Sequence, residues 1–145
     1  MNILLVFAVV WLAMLSMSFW ESYVEGRYPW DKRKLGWKLR LTGHYVLPAY
    51  HFYLFVVMLP LLLSLPLVIG GWNIVVFGVL LSAYLTGMII EDFFWFVVNP
   101  EVPLKNFNQE WADYYPWIKI WKFQMPFGYL LSLAGATLSW YFLWR

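Results

Sequence analysis

Six side chains that can hold a proton or a metal stand in or beside stretches with almost no other charge: Glu21, Glu25, His44, His51, Glu91 and Asp92. Carboxylate oxygens and imidazole nitrogens are the usual ligands of divalent metals. Helix bundles bring them together by aiming side chains inward from facing helices. Glu21 and Glu25 are four residues apart, with Ser18 three before Glu21, so all three share one helical stripe. His44 and His51 are seven apart and share a face if one helix holds both. In "GMIIEDFFWFVVNP", residues 87–100, Glu91 lines up with Tyr84 and Trp95, and Asp92 lies about 100° round the helix.

An isolated charge in the hydrocarbon of a bilayer costs about 2.5–3.5 kcal/mol even on the lenient insertion scale. Four carboxylates therefore need compensation, and three kinds are open. Basic residues of the first loop, such as Arg27 or Lys38, fold in as counter-ions. The acids hold protons and share hydrogen bonds. Or a divalent cation sits between carboxylates and imidazoles. On this last reading Glu21, His51 and Glu91 are direct ligands, and Asp92, Glu25 and His44 stand behind them or form a second site. The Glu-x-x-His element of di-iron bundles is absent; Glu21-x-x-x-Glu25 and His44-x6-His51 stand in its place.

Other chemistries find little support. There is no cysteine, no glycine-rich phosphate loop and no dinucleotide fingerprint. Ser22 alone among the serines lies near the acidic and imidazole groups.

These residues must be positioned by membrane helices. Of 145 residues, 63% are hydrophobic and 12% charged, whereas soluble domains carry about a quarter charged residues. Residues 1–20 and 123–144 carry no charge, and 41–90 carry only the two histidines. A spanning helix needs about 20 apolar residues. We therefore expect a single-domain, all-α, four-transmembrane-helix bundle with spans at about 2–25, 45–69, 74–98 and 125–144. Gly26 should stop the first helix, Pro48 suits the first turn of the second, and Pro60 and Pro66 should kink or end it. "GGWN" at 70–73 reads as a turn, and Asn99-Pro100 stops the third helix. The apolar start lacks a basic n-region and a small-x-small cleavage site, so it reads as a retained helix.

Both charged segments, 26–44 and 99–124, read as interfacial loops on the cytoplasmic side, with both termini outside, because Lys and Arg concentrate there and are absent from the turn at 70–73. Lys32, Arg33, Lys34, Lys38 and Arg40 suit anionic lipid headgroups rather than nucleic acid. At a rise of about 1.5 Å per residue, Glu21, His51 and Glu91 all lie roughly 7–13 Å inside the same end of the bundle. Gly78, Ser82 and Thr86 on helix three, and Gly128, Ser132 and Ala136 on helix four, form small-residue seams for close packing with each other or with a second subunit. No internal repeat is visible.

The strings "FWESYVEGRYPW", "LTGHYVLPAYHFYLF" and "EDFFWFVVNP" resemble segments of small, uncharacterised prokaryotic membrane proteins that share W-E-x-x-x-E-G and E-D-F-x-W-F-V-x-N-P patterns. The resemblance implies a prokaryotic cell membrane and carries no activity. The leading expectation is a membrane-embedded metal-binding bundle, as an oxidoreductase or lipid-modifying enzyme. The alternative is a non-catalytic accessory subunit of a larger membrane complex, and a third reading is a proton or ion carrier.

Overall fold

The computed structural model describes residues 1–30, 32–42, 45–121 and 123–145. Four long helical segments carry most of the chain. Helix α1 covers Ile3–Glu25. Helix α2 covers Ala49–Gly70 and α3 covers Ile74–Val98. Helix α4 starts as Phe127–Ser139 and continues in π-helical form over Trp140–Trp144. The first three are long and apolar enough to cross a membrane.

Helix ends follow local chemistry. The Asn2 side chain accepts from Leu5 N at 3.2 Å, and the Asn73 side chain accepts from Val75 N and Val76 N at 3.0 and 3.1 Å. Each satisfies amides that the first helical turn leaves free. Gly26, at φ 56°, ends α1 in a conformation cheap only for glycine.

Between the long helices, where the sequence predicts interfacial loops, stand two antiparallel hairpins. Strand β1 (Lys38–Thr42) pairs with β2 (Tyr45–Pro48), setting Leu39 opposite Leu47. Strand β3 (Trp117–Ile120) pairs with β4 (Phe123–Pro126), setting Ile118 opposite Met125. Each hairpin ends in a proline, Pro48 or Pro126, and the next residue opens a helix. Helix α2 therefore begins at Ala49 rather than Tyr45, and α4 at Phe127 rather than Met125. The order helix–hairpin–helix occurs twice, although no sequence repeat announces it.

Helix α2 neither ends at Pro60 nor stops at Pro66. Phe52–Met58 widens into a π-helix, with Leu59 N–H bonded to Leu54 O. In that register the next carbonyl, Phe55 O, should receive an amide from residue 60, and proline has none. The Tyr84 hydroxyl of α3 donates to Phe55 O instead.

Helix α3 is the central element. Against α1, Gly87 lies so close to Met14 that a Cβ there would stand 2.8 Å from its Cγ, and Ser18 Oγ donates to Glu91 O at 2.9 Å. Against α4, Ser139 Oγ donates to Gly78 O at 2.9 Å and Ser82 Oγ to Ala136 O at 3.2 Å. The Trp144 indole N–H reaches Ser82 Oγ at 2.9 Å. Small residues thus let the backbones approach, as the seams suggested. Two seam residues depart from that scheme. Thr86 turns toward α1 and accepts from Trp11 Nε1 at 2.9 Å, and Gly128 faces open space.

Below α3 the loop after Val98 folds back as an aromatic floor. Trp95 and Phe96 pack with Val102, Ala112 and Tyr114, joined by Trp30, Phe107, Trp111, Tyr115 and Trp117. Asn99 pins it: Nδ2 donates to Gly26 O at 2.9 Å, and Oδ1 accepts from Glu101 N and Val102 N at 2.8 and 3.0 Å.

Candidate metal and ligand site

The end of α1, the start of α2 and the last three turns of α3 converge on one cavity of about 730 Å³, floored by the aromatic loop and walled on its far side by α4. That size falls within the roughly 300–1,000 Å³ of small-molecule pockets. Glu21, Glu25, His51, Glu91 and Asp92 all line it. His44 lies outside the described residues.

The first four of those side chains are deeply buried: Glu21 is 3% exposed, Glu25 6%, His51 7% and Glu91 4%. Glu21, Glu25 and His51 each offer one ligand atom within 4.8 Å of the others, a group that could hold a metal ion. Two atoms each about 2.0–2.2 Å from one metal stand at most roughly 4.4 Å apart, so small side-chain adjustments bring all three donors into range.

His51 Nε2 lies 3.0 Å from Glu21 Oε1, yet the pair lacks hydrogen-bond alignment, and Glu21 Oε1 and His51 Nδ1 have no hydrogen-bond partner. Glu25 is held more fully. Its Oε1 accepts from Trp30 N at 3.1 Å and from the Tyr50 hydroxyl, and Lys34 Nζ stands 3.7 Å away.

Trp30 organises this side of the cavity. Its φ of 62° is unusual for a bulky residue, and it turns the backbone N–H onto Glu25. The indole stacks on Tyr114 at 5.5 Å and lies 4.3 Å from the His51 ring. Its Nε1 donates to Val46 O in β2. Loop, hairpin and histidine are thereby locked to one another.

Asp92 plays a different part. Tyr129 of α4 donates to its Oδ2 at 2.5 Å, tying α3 to α4 across the cavity. Glu91, adjacent in sequence, presents Oε1 without a partner.

The structure rearranges the expected assignments. Glu25, expected behind Glu21, His51 and Glu91 or in a second site, stands with Glu21 and His51 in the compact donor group. Glu91 lines the same cavity but lies outside that group. Arg27, expected with Lys38 among the counter-ions, pairs with Glu101 at 3.2 Å; Lys34 reaches Glu25.

Tyr50, Trp30, Lys34 and Tyr129 escaped the sequence reading. Tyr50 adjoins His51, but a tyrosine near a helix start usually reads as an interface anchor. Nothing in "DKRKLGWKLR" distinguishes Lys34 from its basic neighbours.

Five buried side-chain polar atoms lack a hydrogen-bond partner among the described residues: Glu21 Oε1, His51 Nδ1, Glu91 Oε1, Trp95 Nε1 and Tyr115 OH. All five belong to residues that line this cavity. Buried polar atoms are normally paired, and an unpaired one calls for an ion, a water or a ligand. No protein-family model matches the chain, and no curated protein or solved structure does.

Proposed function

We propose that the chain is a four-span integral membrane protein that binds a divalent metal through Glu21, Glu25 and His51, with Glu91 beside them, and acts as an enzyme on a membrane-borne substrate. The observation that carries this reading is the collection around one cavity of five buried polar atoms with no hydrogen-bond partner among the described residues. The four carboxylates there support it: Lys34 stands beside Glu25, and none of the described residues lining the cavity is a lysine or arginine.

Helix α4 serves as the fourth span. Its 13 α-helical and 5 π-helical residues are free of charge until Arg145. Both hairpins and the aromatic floor lie on the cytoplasmic side, following the concentration of Lys and Arg there. Lys32, Arg33, Lys38 and Arg40 are exposed and suit anionic headgroups, while Lys34 is drawn inward to Glu25.

Glu21, Glu25 and His51 would hold the ion, which would supply Lewis-acid polarisation of a substrate oxygen or a bound water. The chain supplies the rest. Tyr50 and the Trp30 amide hold Glu25 in place. The aromatic floor excludes bulk water. Tyr129 fixes Asp92 against α4.

Elemental analysis of the detergent-purified protein tests the reading. About one equivalent of a divalent metal is expected, falling tenfold or more in Glu21→Gln and His51→Ala, while Glu101→Gln, at the exposed pair with Arg27, retains it. Metal-free wild-type protein that takes up none on titration overturns the proposal.

A second reading, an accessory subunit of a larger membrane complex or homo-oligomer, draws support from α2. That helix packs only lightly on α3 and leaves Leu61, Leu62, Leu65 and Val68 exposed. Stoichiometric co-purification of another chain through that face would favour it.

A further inference from the structure

The cavity is not evenly enclosed. At its acidic end Glu21 and Glu91 are 3% and 4% exposed, but at its other end Val56 of α2 and Leu131 of α4 are 53% and 57% exposed while lining the same space. Between them Phe55, Met88 and Ile89 continue an apolar wall. The opening therefore lies between α2 and α4. Val56 stands about 10 Å and Leu131 about 6 Å along their helices from the charged end, so the opening reaches the level of acyl chains rather than water alone. Gly128 lines it with no other atom within 4 Å of where a side chain would begin.

Two lining side chains, Trp95 through Nε1 and Tyr115 through its hydroxyl, are donors with no hydrogen-bond partner among the described residues. An indole N–H can only donate. Burial pushes the Tyr115 phenol far above its ordinary range, so it too keeps its proton. The carboxylates beside them disfavour an anionic guest. Among the described residues that line the cavity four are carboxylates and none is a lysine or arginine, so a phosphate head would find no basic lining residue to pair with.

We propose that this cavity binds a single-chain amphipathic lipid with an uncharged oxygen-bearing head, its hydroxyl or carbonyl oxygen accepting from Trp95 and Tyr115 and its hydrocarbon chain leaving between α2 and α4. This names the substrate class of the enzyme proposed above and rests on that reading for its catalytic meaning. The binding itself needs no metal. Entry is sideways from the bilayer, so the substrate never crosses the aqueous boundary.

A monoacylglycerol with a diazirine in its acyl chain provides the probe, photolysed with the protein in phosphatidylcholine nanodiscs and mapped by mass spectrometry. Labelling is expected to concentrate on Phe55, Val56, Met88 and Leu131, and unlabelled monoacylglycerol should compete. Gly128→Phe fills the opening and should cut that labelling about tenfold, the equivalent of 1.4 kcal/mol. Leu62→Phe, on the outer face of α2, should leave it unchanged. Lysophosphatidic acid with the same diazirine chain should label the cavity at least several-fold less.

Labelling spread evenly over the lipid-facing surface, or undiminished in Gly128→Phe, overturns the proposal. Equal labelling by the phosphate-headed probe overturns the assignment of the head. Metal content measured on the same samples separates the two readings. Metal retained without cavity labelling defeats this one alone, and cavity labelling without metal defeats only the metal assignment.

Discussion

The hydroxyl of Tyr84 on α3 donates to the carbonyl of Phe55 on α2, the acceptor that Pro60 leaves without an amide. This bond ties the lightly packed α2 to the central helix, close to the cavity mouth at Val56. Removing it should leave a carbonyl unsatisfied where water is scarce, at a cost of about 1–3 kcal/mol. Tyr84→Phe is thus expected to lower the unfolding midpoint in detergent. In a Pro60→Ala background, where residue 60 regains its N–H, the same change should cost much less. A double-mutant cycle on thermal unfolding measures the coupling, and additive effects would contradict this account.

Gly78 and Gly128 should respond in opposite ways to the same methyl group. At Gly78 a Cβ would stand 2.6 Å from Leu143 Cβ and 2.8 Å from Trp144 Cδ1, inside the α3–α4 contact. Gly78→Ala should force those helices apart at about 1–3 kcal/mol. Gly128→Ala meets nothing and should be neutral or slightly stabilising, since alanine is the better helix former. Thermal unfolding of the two variants side by side decides the matter.

Metal should stabilise the fold, and acid should weaken that effect. His51 must be neutral and Glu21 and Glu25 deprotonated to act as ligands, so protons compete with the ion and its affinity falls as pH falls. At a free metal concentration about 100 times Kd the gain is about 2.7 kcal/mol. The unfolding midpoint should rise on adding the metal found by elemental analysis, drop back with a chelator, and rise less at lower pH. His51→Ala should show almost none of this. A metal response that survives in His51→Ala would move the ion elsewhere.

Asn99 joins the end of α1 to the floor of the cavity through Gly26 O, Glu101 N and Val102 N. Asn99→Ala removes all three bonds from a buried position and should cost about 1–3 kcal/mol, with the loss concentrated in the floor. Hydrogen exchange should accelerate first in residues 99–117 and leave the centre of α3 protected. Uniform acceleration along the chain would argue against a local clamp.

Much of this architecture is written in one dimension. Long runs without charge, broken by "GGWN" and by Asn99-Pro100, announce helices suited to a bilayer, because an unpaired charge there is expensive and a backbone there must satisfy itself. Helical rise and periodicity also place Glu21, His51 and Glu91 at a common depth, and those three do line one cavity. The hairpins had a signal too. The alternation in Lys38-Leu39-Arg40 and Ile118-Lys119-Ile120 has the period of a strand, but in so aromatic and interfacial a stretch it reads equally as loop.

Partnership required the folded chain. That Lys34 reaches Glu25 and that Tyr129 meets Asp92 depend on how helices rotate and lean about α3. Those angles are set by close-packed glycines and serines on both of its faces. Depth follows from counting residues along a helix, since rise is constant. Direction, and with it the sideways opening between α2 and α4, comes only from packing between segments far apart in sequence.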